Sequence, residues 1–177
     1  MKTGLFYTNT MAEEIINRVA SSGLITIKLE ELIPAEIVCI DVKENLFMGM
    51  ILKEKDFRMW VKDHDWEQYS GKCVGVYCST DAIIPTWAYM ILASKLAPLA
   101  EYVCYGNETD VLRSYFQEKV AAMDLQQYEG KMMVVKGCSD KPVSEFAYVE
   151  LTKRLVPVAK SIMFGEPCST VPVFKKR

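Results

Sequence analysis

The feature that most constrains the fold of this chain is an internal repeat. Residues 71–106 read GKCVGVYCSTDAIIPTWAYMILASKLAPLAEYVCYG, and residues 130–165 read GKMMVVKGCSDKPVSEFAYVELTKRLVPVAKSIMFG. The two copies align at a spacing of 59 residues, except around the cysteine, where the spacing is 60. Gly-Lys, Cys-Ser, Ala-Tyr, Pro and the closing Gly recur in the same order, which chance would rarely produce. The sequence therefore predicts a genuine duplication.

Each copy has the pattern of a β-strand, an α-helix and a second β-strand. Apolar runs at 73–77 and 132–135 predict buried strands, and each is followed by a polar loop with Ser, Asp and Pro. A helix of about a dozen residues should end near Pro98 or Pro157, before a short strand that ends at Gly106 or Gly165. Residues 110–123 predict a connecting helix. This order favours an α/β fold with a mainly parallel sheet and helices on both faces.

The residues before the repeat predict a small N-terminal β element. Strand patterns occupy 24–29 and 37–42, residues 47–52 are ambiguous, and residues 53–63 predict a helix. We expect the strands to join a sheet edge or to form an antiparallel flap. A short helix is predicted over residues 11–22, so residues 1–10 are a candidate disordered extension. The whole chain, 1–177, is predicted to be one domain.

Composition excludes several classes of protein. The net charge of −2 gives no strong attraction to nucleic acid or to a membrane surface. No apolar run approaches the roughly 18 residues that a membrane helix needs, and no signal peptide is recognisable at the N-terminus. The six cysteines contain no CxxC pair and resemble free thiols rather than a disulfide scaffold. We therefore expect a cytoplasmic protein.

Three Cys-Ser pairs follow predicted strands. They are Cys78-Ser79, Cys138-Ser139 and Cys168-Ser169. In parallel α/β sheets, ligands bind beyond the carboxyl ends of the strands, so strands of one parallel sheet would bring all three pairs to one edge. Thiolates are soft ligands for zinc, iron and iron–sulfur clusters. The first hypothesis is thus a metal or iron–sulfur site at these cysteines, completed by Asp81, Asp140 or Glu166.

Other functions of the same edge remain open. A small-molecule or anion site, in a binder or an enzyme, would use the loop residues Ser79, Asp81, Ser139, Asp140, Lys141 and Ser169 together with helix N-terminal amides. These polar residues could equally serve only as helix caps. Catalysis by Cys78 or Cys138 is less favoured, because the only histidine, His64, is distant in sequence. A third hypothesis is a non-catalytic interaction scaffold. No enzyme class follows from the sequence.

Three stretches carry a family resemblance. The segments IINRVASSGLITIKL (residues 15–29), CSTDAIIPTWAYM (78–90) and KGCSDKPVSEFAYVELTKRLVPVAKSIMFGEPCST (136–170) resemble a bacterial domain-of-unknown-function family, number 2480. The resemblance runs from about Met11 to the end of the chain and implies no catalytic residues. Its association with gene neighbourhoods for iron–sulfur cluster assembly implies iron–sulfur assembly proteins as candidate partners, and it modestly favours the thiolate hypothesis. A homo-oligomer is the alternative, and a symmetric dimer would favour the scaffold hypothesis.

Overall fold

The computed structural model describes residues 23–137 and 143–177. Within these ranges it confirms a mixed α/β fold with mostly parallel strands and a small N-terminal β element. The predicted helix at 11–22 and the extension at 1–10 lie outside the described residues. The strands are β1 (Leu24–Lys28), β2 (Ile37–Asp41), β3 (Leu46–Phe47), β4 (Ile51–Leu52), β5 (Cys73–Tyr77), β6 (Tyr102–Tyr105), β7 (Met132–Lys136), β8 (Ser161–Glu166) and β9 (Ser169–Lys175). The helices are α1 (Glu54–Asp63), α2 (Thr86–Leu96), α3 (Glu108–Ala122) and α4 (Glu145–Leu155).

The parallel strands are divided between two sheets, whereas the sequence predicted one. The first sheet has the order β2-β5-β6, and the second has the order β1-β7-β8-β9. The strands β1 and β2 decide this division, because each pairs in parallel with the first strand of a different copy of the repeat. Each copy thereby completes a three-stranded parallel unit of its own.

The two units have the same strand order and the same register. In the first sheet Cys73 lies opposite Ile37 on one side and opposite Tyr102 on the other. In the second sheet Met132, which is 59 residues later, lies opposite Leu24 and Ser161. The spacing read from the sequence therefore holds across the paired strands. The evolutionary duplication and the coverage of both sheet faces by helices stay predictions.

Two parts of the chain differ from their sequence patterns. The ambiguous residues 47–52 contribute to a short hairpin of β3 and β4, whose turn holds Met48 (φ 51°) and Gly49 (φ 71°) in the left-handed region. The C-terminal residues form β9, which pairs antiparallel with β8 and contains a register shift next to Pro172. Proline in this strand weakens the strand pattern, which is why sequence periodicity did not indicate β9.

Helix α3 contacts the cores on both sides of it. Val111 and Tyr115 pack near Cys73 of the first sheet, whereas Phe116 and Val120 belong to the core of the second sheet. The helix begins with a capping box, in which the Asn107 side chain accepts from the backbone of residues 109 and 110 and the Asp110 side chain accepts from the Asn107 N–H. The single helix α3 therefore packs against the cores of both sheets.

The first sheet has its larger core against α1 and α2. Val74 and Val76 of β5 pack there with Leu92 of α2 and Phe57 of α1. The second sheet packs against α4 in the equivalent way, through residues such as Leu151. These two cores leave the outer edge of β6, and the adjoining faces of α2 and α4, near the surface.

Candidate functional site

The loop after β5 carries the first Cys-Ser pair. Cys78 directly follows Tyr77, is half-buried, and its Sγ donates a hydrogen bond to the carbonyl oxygen of Thr80 at 3.5 Å. The N–H of Ser79 donates to Oδ1 of Asp41 at 3.0 Å. Asp41 is the last residue of β2 and the register partner of Tyr77. The loop is thus closed onto the neighbouring strand by a carboxylate that sequence reasoning missed.

The surroundings of Asp41 explain its charge state. Burial alone would raise the pKa of this carboxyl, but hydrogen bonds from Ser79 and Lys43 outweigh burial and hold the pKa below its usual value. The ammonium of Lys43 adds an ion pair with Oδ2 at 3.4 Å. These donors all belong to the chain itself, so the carboxylate serves as an anchor for the loop. The signal available in the sequence was an acidic residue at the end of a predicted strand.

The helix that follows Cys78 begins after a loop, as the sequence predicted. Residues 78–85 form a loop, and α2 starts at Thr86 after Pro85, without a side-chain cap. Asp81 is exposed in this loop. Cys78 and Ser79 therefore lie in the loop between β5 and α2, and neither caps α2.

The carboxyl ends of β7 and β8 lie side by side. Lys136, the last residue of β7, forms an ion pair with Glu166, the last residue of β8, at 2.9 Å. Cys168 is exposed in the turn after β8, and Ser169 starts β9. Four predicted site residues after β7 lie outside the described residues: Cys138, Ser139, Asp140 and Lys141.

The structure separates the three Cys-Ser pairs. Cys78 follows a strand of the first sheet, whereas the strands before Cys138 and Cys168 belong to the second sheet. The expectation of one shared sheet edge for all three pairs is therefore wrong. In residues 23–137 and 143–177, no three His, Cys, Asp or Glu side chains are arranged to hold a metal ion. Metal binding at Cys78, Cys138 and Cys168 stays a prediction.

An open apolar groove lies between α4 and the strands β8 and β9, and we call it the α4 groove. Its volume is about 640 Å³. The residues that line it are Val135, Glu145, Tyr148, Val149, Thr152, Ile162, Met163, Phe164 and Val173. Nearly all of this lining is apolar, and Glu145 is the one charged residue in it. In the described parts of the chain, Glu145 forms no ion pair.

A second groove occupies the equivalent place in the first sheet, between α2 and β6, and we call it the α2 groove. Its volume is about 280 Å³. The residues that line it are Val76, Thr86, Tyr89, Met90, Ala93, Val103, Cys104 and Tyr105. Adding 59 to each of these numbers gives eight of the nine residues of the α4 groove. The ninth, Val173, comes from β9, which lies outside the repeat.

An aromatic pair marks the same point in both grooves. Tyr89 and Tyr105 meet edge to face with ring centroids 5.3 Å apart, and Tyr148 and Phe164 do so at 5.6 Å. Burial, followed by the neighbouring Tyr105 and Cys78, raises the pKa of Tyr89 to about 12. Its hydroxyl is therefore protonated at neutral pH. Tyr89 and Tyr148 are half-buried, and each packs against the core of its sheet while lining a groove.

Comparison with known proteins matches this chain to a family. A family described as "Protein of unknown function (DUF2480)" matches residues 13–176. The chain belongs to the DUF2480 family. No curated protein and no solved structure matches it. The resemblance found in the sequence is thus confirmed, and it covers both sheets.

Membership of the DUF2480 family assigns no ligand or reaction to either groove, because the family is itself described by its unknown function. Across the described parts of this DUF2480 chain, no helix is both long enough and apolar enough to cross a membrane. The candidate functional features of the molecule are the two grooves, the anchored loop after β5 and the paired ends of β7 and β8.

Proposed function

We propose that this DUF2480 protein is a non-catalytic interaction scaffold whose α4 groove binds an apolar segment of a partner protein. The observation that carries the proposal is the exposed apolar patch formed by Val149, Phe164, Val171 and Val173, which are between 46% and 68% exposed. Contiguous apolar surface of this kind is typical of protein-interaction sites.

The shape and lining of the α4 groove favour a protein segment over a small molecule. Small-molecule sites combine apolar walls with a few convergent polar groups that orient the ligand. Here the polar contribution is limited to Glu145, Thr152 and the Tyr148 hydroxyl. The exposed apolar surface also extends beyond the groove onto β9, where Val171 lies opposite Phe164. A partner with several consecutive apolar side chains would cover all of this surface.

The charge at one end of the groove specifies the partner further. Glu145 stands in the first turn of α4, and its carboxylate forms no ion pair with the described part of the chain. A lysine or arginine beside the apolar side chains of the partner would face this carboxylate. The preferred segment therefore combines aliphatic or aromatic residues with one basic residue.

Peptide selection on the full-length protein tests this proposal. Peptides from a displayed random library would be selected and their affinity measured by fluorescence anisotropy. We expect apolar peptides with a basic residue, and at least a tenfold loss of affinity in Phe164→Asp and in Val149→Asp, because each places a charge in the apolar patch. Glu145→Gln should weaken only those peptides that carry the basic residue.

The repeat supplies a matched control. Tyr105 occupies the position of Phe164 in the other groove, so Tyr105→Asp should leave peptide affinity unchanged. Circular dichroism would establish that each variant is folded. The proposal fails if no peptide is selected, if Val149→Asp binds as the unaltered protein does, or if the groove takes only a free apolar small molecule such as a fatty acid.

A further inference from the structure

The edge of β6 differs from the edge of its repeat equivalent, β8. In the second sheet β9 pairs antiparallel with β8. In the first sheet β6 is the last strand, and none of the described residues pairs with its outer side. Exposed edge strands are templates for pairing with another chain, and natural proteins usually shield them. The edge of β6 could therefore pair with a strand of another chain, as the edge of β8 pairs with β9.

We propose that two copies of this chain form a twofold symmetric dimer by antiparallel pairing of β6 with β6 of the partner, which joins the two first sheets into one. The symmetry is closed, because the same surface serves on both copies. This interface lies at the α2 groove, apart from the α4 groove, and does not depend on the proposed peptide binding.

The backbone of β6 determines the register of this pairing. The N–H groups of Tyr102 and Gly106 donate to the carbonyls of Lys72 and Val76, towards β5. Because successive backbone groups of a strand point to opposite sides, the N–H and C=O groups of Val103 and Tyr105 point outward. If Val103 of each copy lies opposite Tyr105 of the other, all of these N–H and C=O groups form hydrogen bonds between the copies. The twofold axis then passes between the two Cys104 residues.

The pairing of β8 with β9 already contains the same side-chain combinations. Ile162, the equivalent of Val103, lies opposite Phe174, and Phe164, the equivalent of Tyr105, lies opposite Val171. An aliphatic residue thus faces an aromatic one at both positions. The dimer would place Tyr105 of the partner where Phe174 stands and Val103 of the partner where Val171 stands. Aromatic and aliphatic cross-strand pairs of this kind stabilise sheets.

The helix beside the β6 edge has the composition of an interface. The residues of α2 that line the groove on its exposed side are Thr86, Met90 and Ala93, and Ala97 continues the stripe at the end of the helix. Lys95 is the one charged residue of α2, whereas α4 has four. The twofold axis would bring α2 of both copies to the same side of the joined sheet, where the small Ala93 side chains permit close approach.

Sedimentation equilibrium of the full-length chain tests the dimer. We expect twice the monomer mass of 20.1 kDa at micromolar concentration. Met90→Asp and Tyr105→Asp should each yield a monomer, since each brings a charge into the apolar interface. Val149→Asp is the matched control, because Val149 is the repeat equivalent of Met90 and the two are 68% and 67% exposed. It should remain a dimer.

Cross-linking tests the register. In a Cys168→Ser background, which removes the exposed thiol of the β8–β9 turn, diamide would take two electrons and two protons from the facing Cys104 thiols and leave one disulfide. The central pair does not exchange backbone hydrogen bonds, so its Cα atoms would lie about 4.5 Å apart, within disulfide range. The covalent dimer should disappear in Cys104→Ser.

Each alternative result has a defined meaning. A monomer at 100 micromolar, a dimer that persists in both charge variants, or a dimer lost equally in Val149→Asp would overturn the proposal. A dimer that diamide cannot link through Cys104 would overturn its register. Because Val149→Asp removes peptide binding and Met90→Asp removes the dimer, failure of the proposed function and failure of this inference are distinguishable.

Discussion

The side chain of Asp41 connects two loops at the end of the first sheet. Its Oδ1 accepts hydrogen bonds from the N–H groups of Ser79 and Lys43, and its Oδ2 forms an ion pair with the Lys43 ammonium. Only 14% of the side chain is exposed. A carboxylate held in this way stabilises the folded state as long as it is ionised. The anchored loop contains Cys78, one of the predicted metal ligands.

The pH dependence of stability should reveal the Asp41 anchor. The pKa of Asp41 is lowered in the folded protein, so its contribution is complete above the unfolded pKa, near 4, and is lost as pH falls through the folded pKa. We expect Asp41→Asn to lower the free energy of unfolding by about 1 to 2 kcal/mol at pH 7. The difference from the unaltered protein should shrink below about pH 4.

Urea denaturation at pH 7 and at pH 3 measures this difference. Asp81→Asn is the control, because Asp81 is exposed in the same loop, and its stability should stay within about 0.5 kcal/mol of the original. An equal loss for Asp41→Asn at both pH values would mean that the charge of Asp41 is not what anchors the loop.

At the scale of the elements, the close approach of β5 and α3 depends on a glycine. A Cβ atom added at Gly75 would lie 2.5 Å from the carbonyl oxygen of Gly106 and 2.8 Å from Cγ2 of Val111. The equivalent position in β7 is Val134, so the two copies differ here. The difference follows from α3, which packs directly on the first sheet.

We therefore expect Gly75→Ala to be destabilising despite the small size of the added methyl group. Backbone at Gly106 cannot move aside as a flexible side chain would, and overpacking of this kind costs about 1 to 3 kcal/mol. Thermal and urea denaturation measure the loss. Unchanged stability would show that α3 can move away from β5 with no loss in the free energy of unfolding. The contact at Gly75 would then not determine the position of α3.

At the scale of the whole molecule, α3 couples the two sheets. Its Phe116 lies in the core of the second sheet, and its Val111 packs with the first, each with no exposed surface. The strand β1 adds to the coupling, because it joins the C-terminal copy although it precedes the N-terminal one. We expect the two sheets to unfold as one cooperative unit.

The tryptophans make this cooperativity measurable. Trp60, Trp66 and Trp87 all pack in the core of the first sheet, whereas Leu151 is buried in the core of the second. Leu151→Ala should cost about 2 to 5 kcal/mol and shift the tryptophan fluorescence transition as far as the circular dichroism transition. Leu92→Ala, at the equivalent position of the first core, is the matched variant. A fluorescence transition unmoved by Leu151→Ala would show that the sheets unfold separately.

The sequence by itself determined the order of strands and helices and the positions that correspond between the copies. Apolar periodicity, glycines and prolines act on neighbouring residues, so they are readable without the fold. They located β5 and β7 almost to the residue, and the spacing of 59 correctly paired Tyr89 with Tyr148.

Only the tertiary structure decided which strands are neighbours. Strand pairing joins residues far apart in the chain, and either N-terminal strand could have joined either copy. The choice of β2 for β5 and of β1 for β7 made two sheets instead of one and separated Cys78 from the other Cys-Ser pairs. The same choice created the two grooves and brought Asp41 to Ser79. Within the described residues, β9 covers the outer side of β8, and no strand covers the outer side of β6.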